Sequence, residues 1–100
     1  MTETFSSKIN GIVTDTAVTT KEGVTCFYQL IRESVFDEET GLFRFAYTCF
    51  IVTVANGESS FALVRDISSQ RETAESIFSL LVRGSVTSVT VYDVIEDAIT

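Results

Sequence analysis

From about Ile9 to Ile67 the apolar positions are spaced as in strands, with β-branched and aromatic residues dominating, and three turn signals divide them: Lys21-Glu22-Gly23, Asp37-Glu38-Glu39-Thr40-Gly41 and Asn56-Gly57. Such residues suit a pleated, half-buried surface, so the pattern predicts a four-stranded antiparallel meander. Asn56-Gly57 is the most specific of the three turns, because a two-residue type I′ turn needs positive φ at both central positions. It joins Ile51–Val54 to Phe61–Val64. The long runs Val24–Phe36 and Leu42–Val54 predict one extended central hairpin with the Asp37–Gly41 turn at its tip, and a first strand is read near Ile9–Val18.

After Asp66-Ile67-Ser68 the period changes. Ala74, Ile77, Phe78 and Leu81 recur at helical spacing on one face. Ser68 or Ser69 is the expected N-cap, Ser69-Gln70-Arg71-Glu72 fits a capping box, and Gly84 stands where a left-handed residue would end the helix. Residues 86–91 read as a strand or as the start of a second helix. The helix is preferred, beginning near Ser88 with Thr87 as N-cap, since Val91, Val94, Ile95 and Ala98 then share one face and Asp93, Glu96 and Asp97 the opposite one. The fold class read from this order is α+β, ββββαα, a four-stranded antiparallel meander with two C-terminal helices packed on one face, and residues 1–100 are read as a single domain.

A turn that sets Phe36 opposite Leu42, and another that sets Ala55 opposite Glu58, would assign the sheet faces. One face would carry Cys26, Tyr28, Leu30, Phe50, Val52, Phe61 and Leu63 beneath the helices; the other would carry Phe27, Ile31, Phe43, Phe45, Tyr47, Cys49, Ile51 and Val64. Two helices cover only one face of such a sheet, which leaves an aromatic face without a lid. The expectation is a homodimer, sheet face on sheet face, with Phe43, Phe45 and Tyr47 near its centre; the alternative is that the first strand or a bent hairpin covers that face.

Composition narrows the chemistry. A net charge of -7 repels nucleic acid and anionic lipid, so neither is expected as a partner. The absence of His removes Ser-His-Asp triads, Cys-His dyads and His-assisted zinc sites. The acidic start Met1-Thr2-Glu3-Thr4-Phe5 lacks the basic and apolar regions of a secretory signal, and no apolar run has the length of a membrane span, so a cytoplasmic protein is expected. In that reducing compartment Cys26 and Cys49 are expected to be buried thiols, and the register above points them to opposite faces.

Two clusters are candidate sites. Arg32, Arg44 and Arg65 would lie on a diagonal across three strands that ends near the Ser68 helix start, an arrangement suited to phosphate or carboxylate; the plainer reading pairs these arginines with acids. Asp93, Glu96 and Asp97 place three carboxylates within one helical turn, where they can meet a basic protein partner or a hard cation; the plainer reading is a solvated face. No catalytic residue, metal site or cofactor is expected.

Val64-Arg65-Asp66-Ile67-Ser68, the helix behind it and the closing Val91-Tyr92-Asp93-Val94-Ile95-Glu96-Asp97 resemble the domain of unknown function 6514 family, short bacterial proteins with a β-meander followed by two helices. This resemblance implies the architecture and brings no activity. The functional expectation is a non-enzymatic interaction module that self-associates through an aromatic sheet face, with a small-molecule or anion-binding regulatory domain as the alternative.

Overall fold

The computed structural model describes residues 11–99. Four strands form one antiparallel sheet in the order β1-β2-β3-β4: β1 Ile12–Lys21, β2 Val24–Asp37, β3 Leu42–Ala55 and β4 Glu58–Ser68. Two helices follow, α1 Arg71–Arg83 and α2 Val91–Ile99. The α+β meander read from the sequence is therefore the observed one.

β1 continues three residues past Val18, to Lys21, because Thr19, Thr20 and Lys21 keep the ladder up to a two-residue turn that Lys21 and Val24 close. Glu22 and Gly23 both have positive φ there, as do Asn56 and Gly57 in the matching turn between β3 and β4. Ile9, the expected start of β1, lies outside the described residues.

The central hairpin corrects the expected register by one residue. Asp37 pairs with Leu42, and Phe36 with Phe43 rather than with Leu42. The loop is closed by the Gly41 N–H donating to the Asp37 carbonyl, while the Asp37 carboxylate takes the Glu39 N–H at 3.0 Å, so four residues rather than five form the connection. Because side chains alternate, this slip exchanges every face assignment on β3 and β4 relative to β2. Tyr47, Cys49 and Ile51, expected on the second face, join Cys26, Tyr28 and Leu30 in the core beneath the helices. Phe50, Val52, Phe61 and Leu63, expected in that core, lie on the other face with Phe27. Cys26 and Cys49 thus share a face; they stay free thiols because Cys26 pairs with Thr53, four residues or ~13 Å along β3 from Cys49.

Ala74, Ile77, Phe78 and Leu81 of α1 and Val91 and Ile95 of α2 complete the core. Neither helix is capped as the sequence predicts. Gln70 is the N-cap of α1 and makes no side-chain cap bond, while Ser68 Oγ accepts the Gln70 N–H at 3.0 Å in a local turn. At the other end Gly84 has φ -87°, and the left-handed residue is Ser85 at φ 50°. The Val86 N–H donates to the Leu81 carbonyl and the Ser85 N–H to the Val82 carbonyl, the bond pair of a Schellman motif. Ser85→Gly is expected to raise the unfolding free energy by about 1 kcal/mol, read as a higher urea midpoint, because glycine adopts this conformation without steric cost. α2 starts at Val91, later than the expected Ser88; residues 88–90 form a turn, with Ser88 held by its N–H on Thr53 Oγ1 at 2.9 Å and by its hydroxyl against Ser60 Oγ at 2.7 Å.

Candidate functional site

The corrected register creates a surface with an unusual chemical character. Val18 pairs with Phe27, Phe27 with Val52 and Val52 with Phe61, so one apolar row crosses all four strands on the face opposite the helices. It is flanked by the rows Thr20-Thr25-Val54-Ser59 and Thr16-Gln29-Phe50-Leu63. None of the twelve residues is charged, in a chain of net charge -7. Neither helix lies on this side of the sheet, and Val18, Phe27 and Phe61 are 60%, 44% and 62% exposed. The Phe50 and Phe61 rings meet at 6.0 Å across β3 and β4.

A second apolar surface lies at the far end of the central hairpin. The described pairing of β1 ends at Arg32 and that of β4 at Tyr47, so residues 33–46 continue as a two-stranded ribbon. On the same side of the sheet as the helices, but beyond them, the ribbon carries Phe36, Phe43 and Phe45, which are 51%, 71% and 52% exposed. The Phe36 and Phe43 rings pack edge to face at 5.3 Å, and the Arg32 guanidinium lies 4.4 Å over the Phe45 ring. Of the three aromatic residues expected at an interface, Phe43 and Phe45 are thus together and exposed, whereas Tyr47 is 4% exposed in the core.

The arginines divide between the two faces. Arg44 grips Asp66 through its two terminal guanidinium nitrogens, Nη2 at 2.7 Å and Nη1 at 3.3 Å, and this bond raises the Arg44 pKa. Arg65 stands 3.6 Å from the Glu33 carboxylate on the same face, while Arg32 is on the helix side. The predicted diagonal with Ser68 is therefore not assembled, because it was built on the other register. A feature that the sequence did not reveal lies between these pairs. Asp66 sits at φ 57° where the β3–β4 ladder shifts, its N–H faces Thr48 Oγ1 at 3.4 Å, and the fully buried Thr48 hydroxyl donates to Glu33 at 2.9 Å. A bulge leaves a backbone group outside the ladder, and Thr48 supplies its acceptor. The only hint in the sequence is a Thr within the apolar run of β3.

Asp93, Glu96 and Asp97 are exposed on α2. Among the described residues no group of three or more Cys, Asp or Glu side chains is placed to hold a metal ion. Both cysteines are buried, and burial pushes the Cys49 thiol up to about 12, far from the range of a reactive thiolate. A shallow cavity of about 260 Å³ between the β1–β2 turn and the α1–α2 connection is lined by Thr19, Lys21, Glu22, Ser85 and Thr87. No helix among the described residues is long and apolar enough to cross a membrane.

The model of the Family of unknown function (DUF6514) matches residues 10–100. The chain belongs to this family. The match takes in all four strands and both helices, so the sheet faces and ribbon described above lie within the DUF6514 region. No curated protein and no solved structure matches this DUF6514 chain.

Proposed function

We propose that this chain is a non-enzymatic protein-interaction module that self-associates, sheet face on sheet face, through the row Val18, Phe27, Val52 and Phe61. The observation that carries this reading is the charge-free block of three rows in a chain of net charge -7. Two such chains repel at long range, so they approach favourably only where no charge must be desolvated. A pairing about a two-fold axis uses the same patch on both copies, and an apolar, neutral patch is complementary to itself. Four strands ~4.8 Å apart and three rows ~7 Å apart span roughly 400 Å² per partner, below the roughly 1,000 Å² in total that a stable specific interface buries, so the pairing is a weak, reversible one. The anion-binding alternative has less support, since Arg44 and Arg65 each face a carboxylate and Arg32 lies on the other side of the sheet.

Light scattering on the wild type and on Phe27→Glu tests the reading. The expected result is a dimer for the wild type at tens of micromolar and a folded monomer for the variant, since the substitution would bury a carboxylate against its own copy. A wild type that stays monomeric, or a variant that keeps the dimer, overturns it.

A further inference from the structure

The sheet is open, so β1 and β4 each present an outer edge, and the two edges differ. The edge of β4 is broken by the bulge at Asp66, carries Glu58, Arg65 and Asp66, and has its Leu63 carbonyl taken by the Tyr92 hydroxyl of α2 at 3.2 Å. Bulges, charges and covering side chains are what keep a strand edge from pairing. On β1 the ladder shift lies between Val13 and Asp15, and from Asp15 to Lys21 the pairing with β2 runs unbroken. That stretch, Asp15-Thr16-Ala17-Val18-Thr19-Thr20-Lys21, is rich in β-branched residues, has no proline and is charged only at its two ends. A regular edge of this kind is a template for one more strand.

Its two charges say which strand fits. Asp15 pairs with Leu30 and Lys21 with Val24, residues in or against the core, so both charges stand on the helix side of the sheet. Neither is in an ion pair among the described residues, and Arg71 of α1, within electrostatic reach of Asp15, is bonded to Glu75 at 2.8 Å. A two-fold axis normal to the sheet keeps every side chain on its own face, so β1 meets its own copy antiparallel with same-face residues opposite each other. An axis through Val18 sets Asp15 opposite the second copy's Lys21, and Lys21 opposite its Asp15. On the open face the same axis sets Thr16 opposite Thr20 and Val18 opposite itself, so the charge-free rows run on from one copy into the next. Any other axis within the stretch leaves both charges without partners or sets like charges opposite each other.

We propose that the outer edge of β1 docks β1 of a second copy of this chain, antiparallel about Val18 with Asp15 against Lys21 at both ends, so that two four-stranded sheets join into one. Backbone hydrogen bonds supply the attraction, and the two opposite-charge pairs fix the register. The contact uses a different surface from the sheet-face pairing and does not depend on it. It covers two strand edges rather than a face, so it forms only at hundreds of micromolar, roughly.

The test uses the Phe27→Glu chain, which lacks the sheet-face contact, so that failure of one contact is not mistaken for failure of the other. Phe61→Glu, on the far strand from β1, serves as the background if Phe27→Glu does not fold by circular dichroism. In sedimentation equilibrium up to about 1 mM this chain is expected to pass from monomer to dimer. Adding Asp15→Lys or Lys21→Asp sets like charges opposite each other at both ends and is expected to weaken that dimer about ten-fold in each case. Asp15→Lys does so although it brings the net charge closer to zero, which by itself eases association. An equal mixture of the two altered chains is expected to recover the dimer, since one then presents lysine at both ends and the other aspartate. Amide exchange is expected to slow at alternate N–H groups between Asp15 and Lys21 as the dimer forms, and to stay unchanged on β4. A background chain that is monomeric throughout, a dimer indifferent to these substitutions, a mixture that associates no better than its components, or protection that appears on β4 instead overturns the proposal.

Discussion

Raising the pH from about 8 to about 11 is expected to lower the unfolding free energy of this protein by several kcal/mol. Burial pushes the Cys49 thiol from 9.0 up to about 12 and the Tyr28 hydroxyl from 10.0 up to about 12. Both side chains lie beneath the helices, at 0% and 1% exposure, and Tyr28 spends its hydroxyl proton on the Val86 carbonyl at 2.8 Å. In the unfolded chain these groups lose their protons at ordinary values. Between about pH 9 and about pH 12 the unfolded state therefore holds fewer protons than the native state, and stability falls as pH rises; below about pH 9 both groups are protonated in both states and add no slope. Urea midpoints measured at unit steps of pH check this. Cys49→Ala should flatten the part of the decline that begins near pH 9, and Tyr28→Phe the part that begins near pH 10, whatever each costs at neutral pH. Midpoints that stay level to pH 11 would show that neither group is desolvated as described.

Leu81→Ala is expected to cost about 3 kcal/mol, a fall of roughly 15 °C in Tm for a chain of this size. Leu81 is 0% exposed, and its face of α1 packs with Ala74, Ile77 and Phe78 against Tyr28, Cys49 and Ile51. Removing its side chain leaves a hole in the core between α1 and the sheet, which its close-packed neighbours can fill only by giving up contacts of their own. Leu80, one position earlier, is 41% exposed, so Leu80→Ala is expected to cost under about 1 kcal/mol. Equal costs for the two substitutions would contradict the assigned helix face.

That helix face was legible in the sequence because Ala74, Ile77, Phe78 and Leu81 repeat at 3.6-residue spacing, with Glu75, Ser76 and Ser79 between them. The meander was legible for a similar reason, since Asn56-Gly57 and Glu22-Gly23 admit few conformations besides a tight turn. The sheet faces were not. β3 reads Leu42-Phe43 and then Phe45 to Ala55 with apolar side chains on both sides, so hydrophobicity does not tell Ile51 from Val52, and the face rests on the number of loop residues alone. The Asp37 carboxylate, by taking the Glu39 N–H, makes Asp37 part of a closed turn rather than a loop residue, and the count shifts by one. Everything built on that count shifted with it: the arginine diagonal, the position of Tyr47 and the identity of the aromatic face. What survived is the conclusion that one face lies outside the helices and carries phenylalanine, because either register leaves such a face. The Ser69 capping box failed for a different reason. Ser68 turns back on the Gln70 N–H, and the helix begins one residue later than that motif requires.

The sequence contains no tryptophan, so Phe27→Trp places a single indole in the middle of the charge-free row. Its emission should be followed on dilution from about 200 µM to below 1 µM, beside the mass by light scattering. If the sheet faces meet as proposed, the emission shifts to the red over the same concentrations at which the mass falls from dimer to monomer. An emission maximum unchanged by dilution while the mass falls would place the contact elsewhere and contradict the sheet-face pairing.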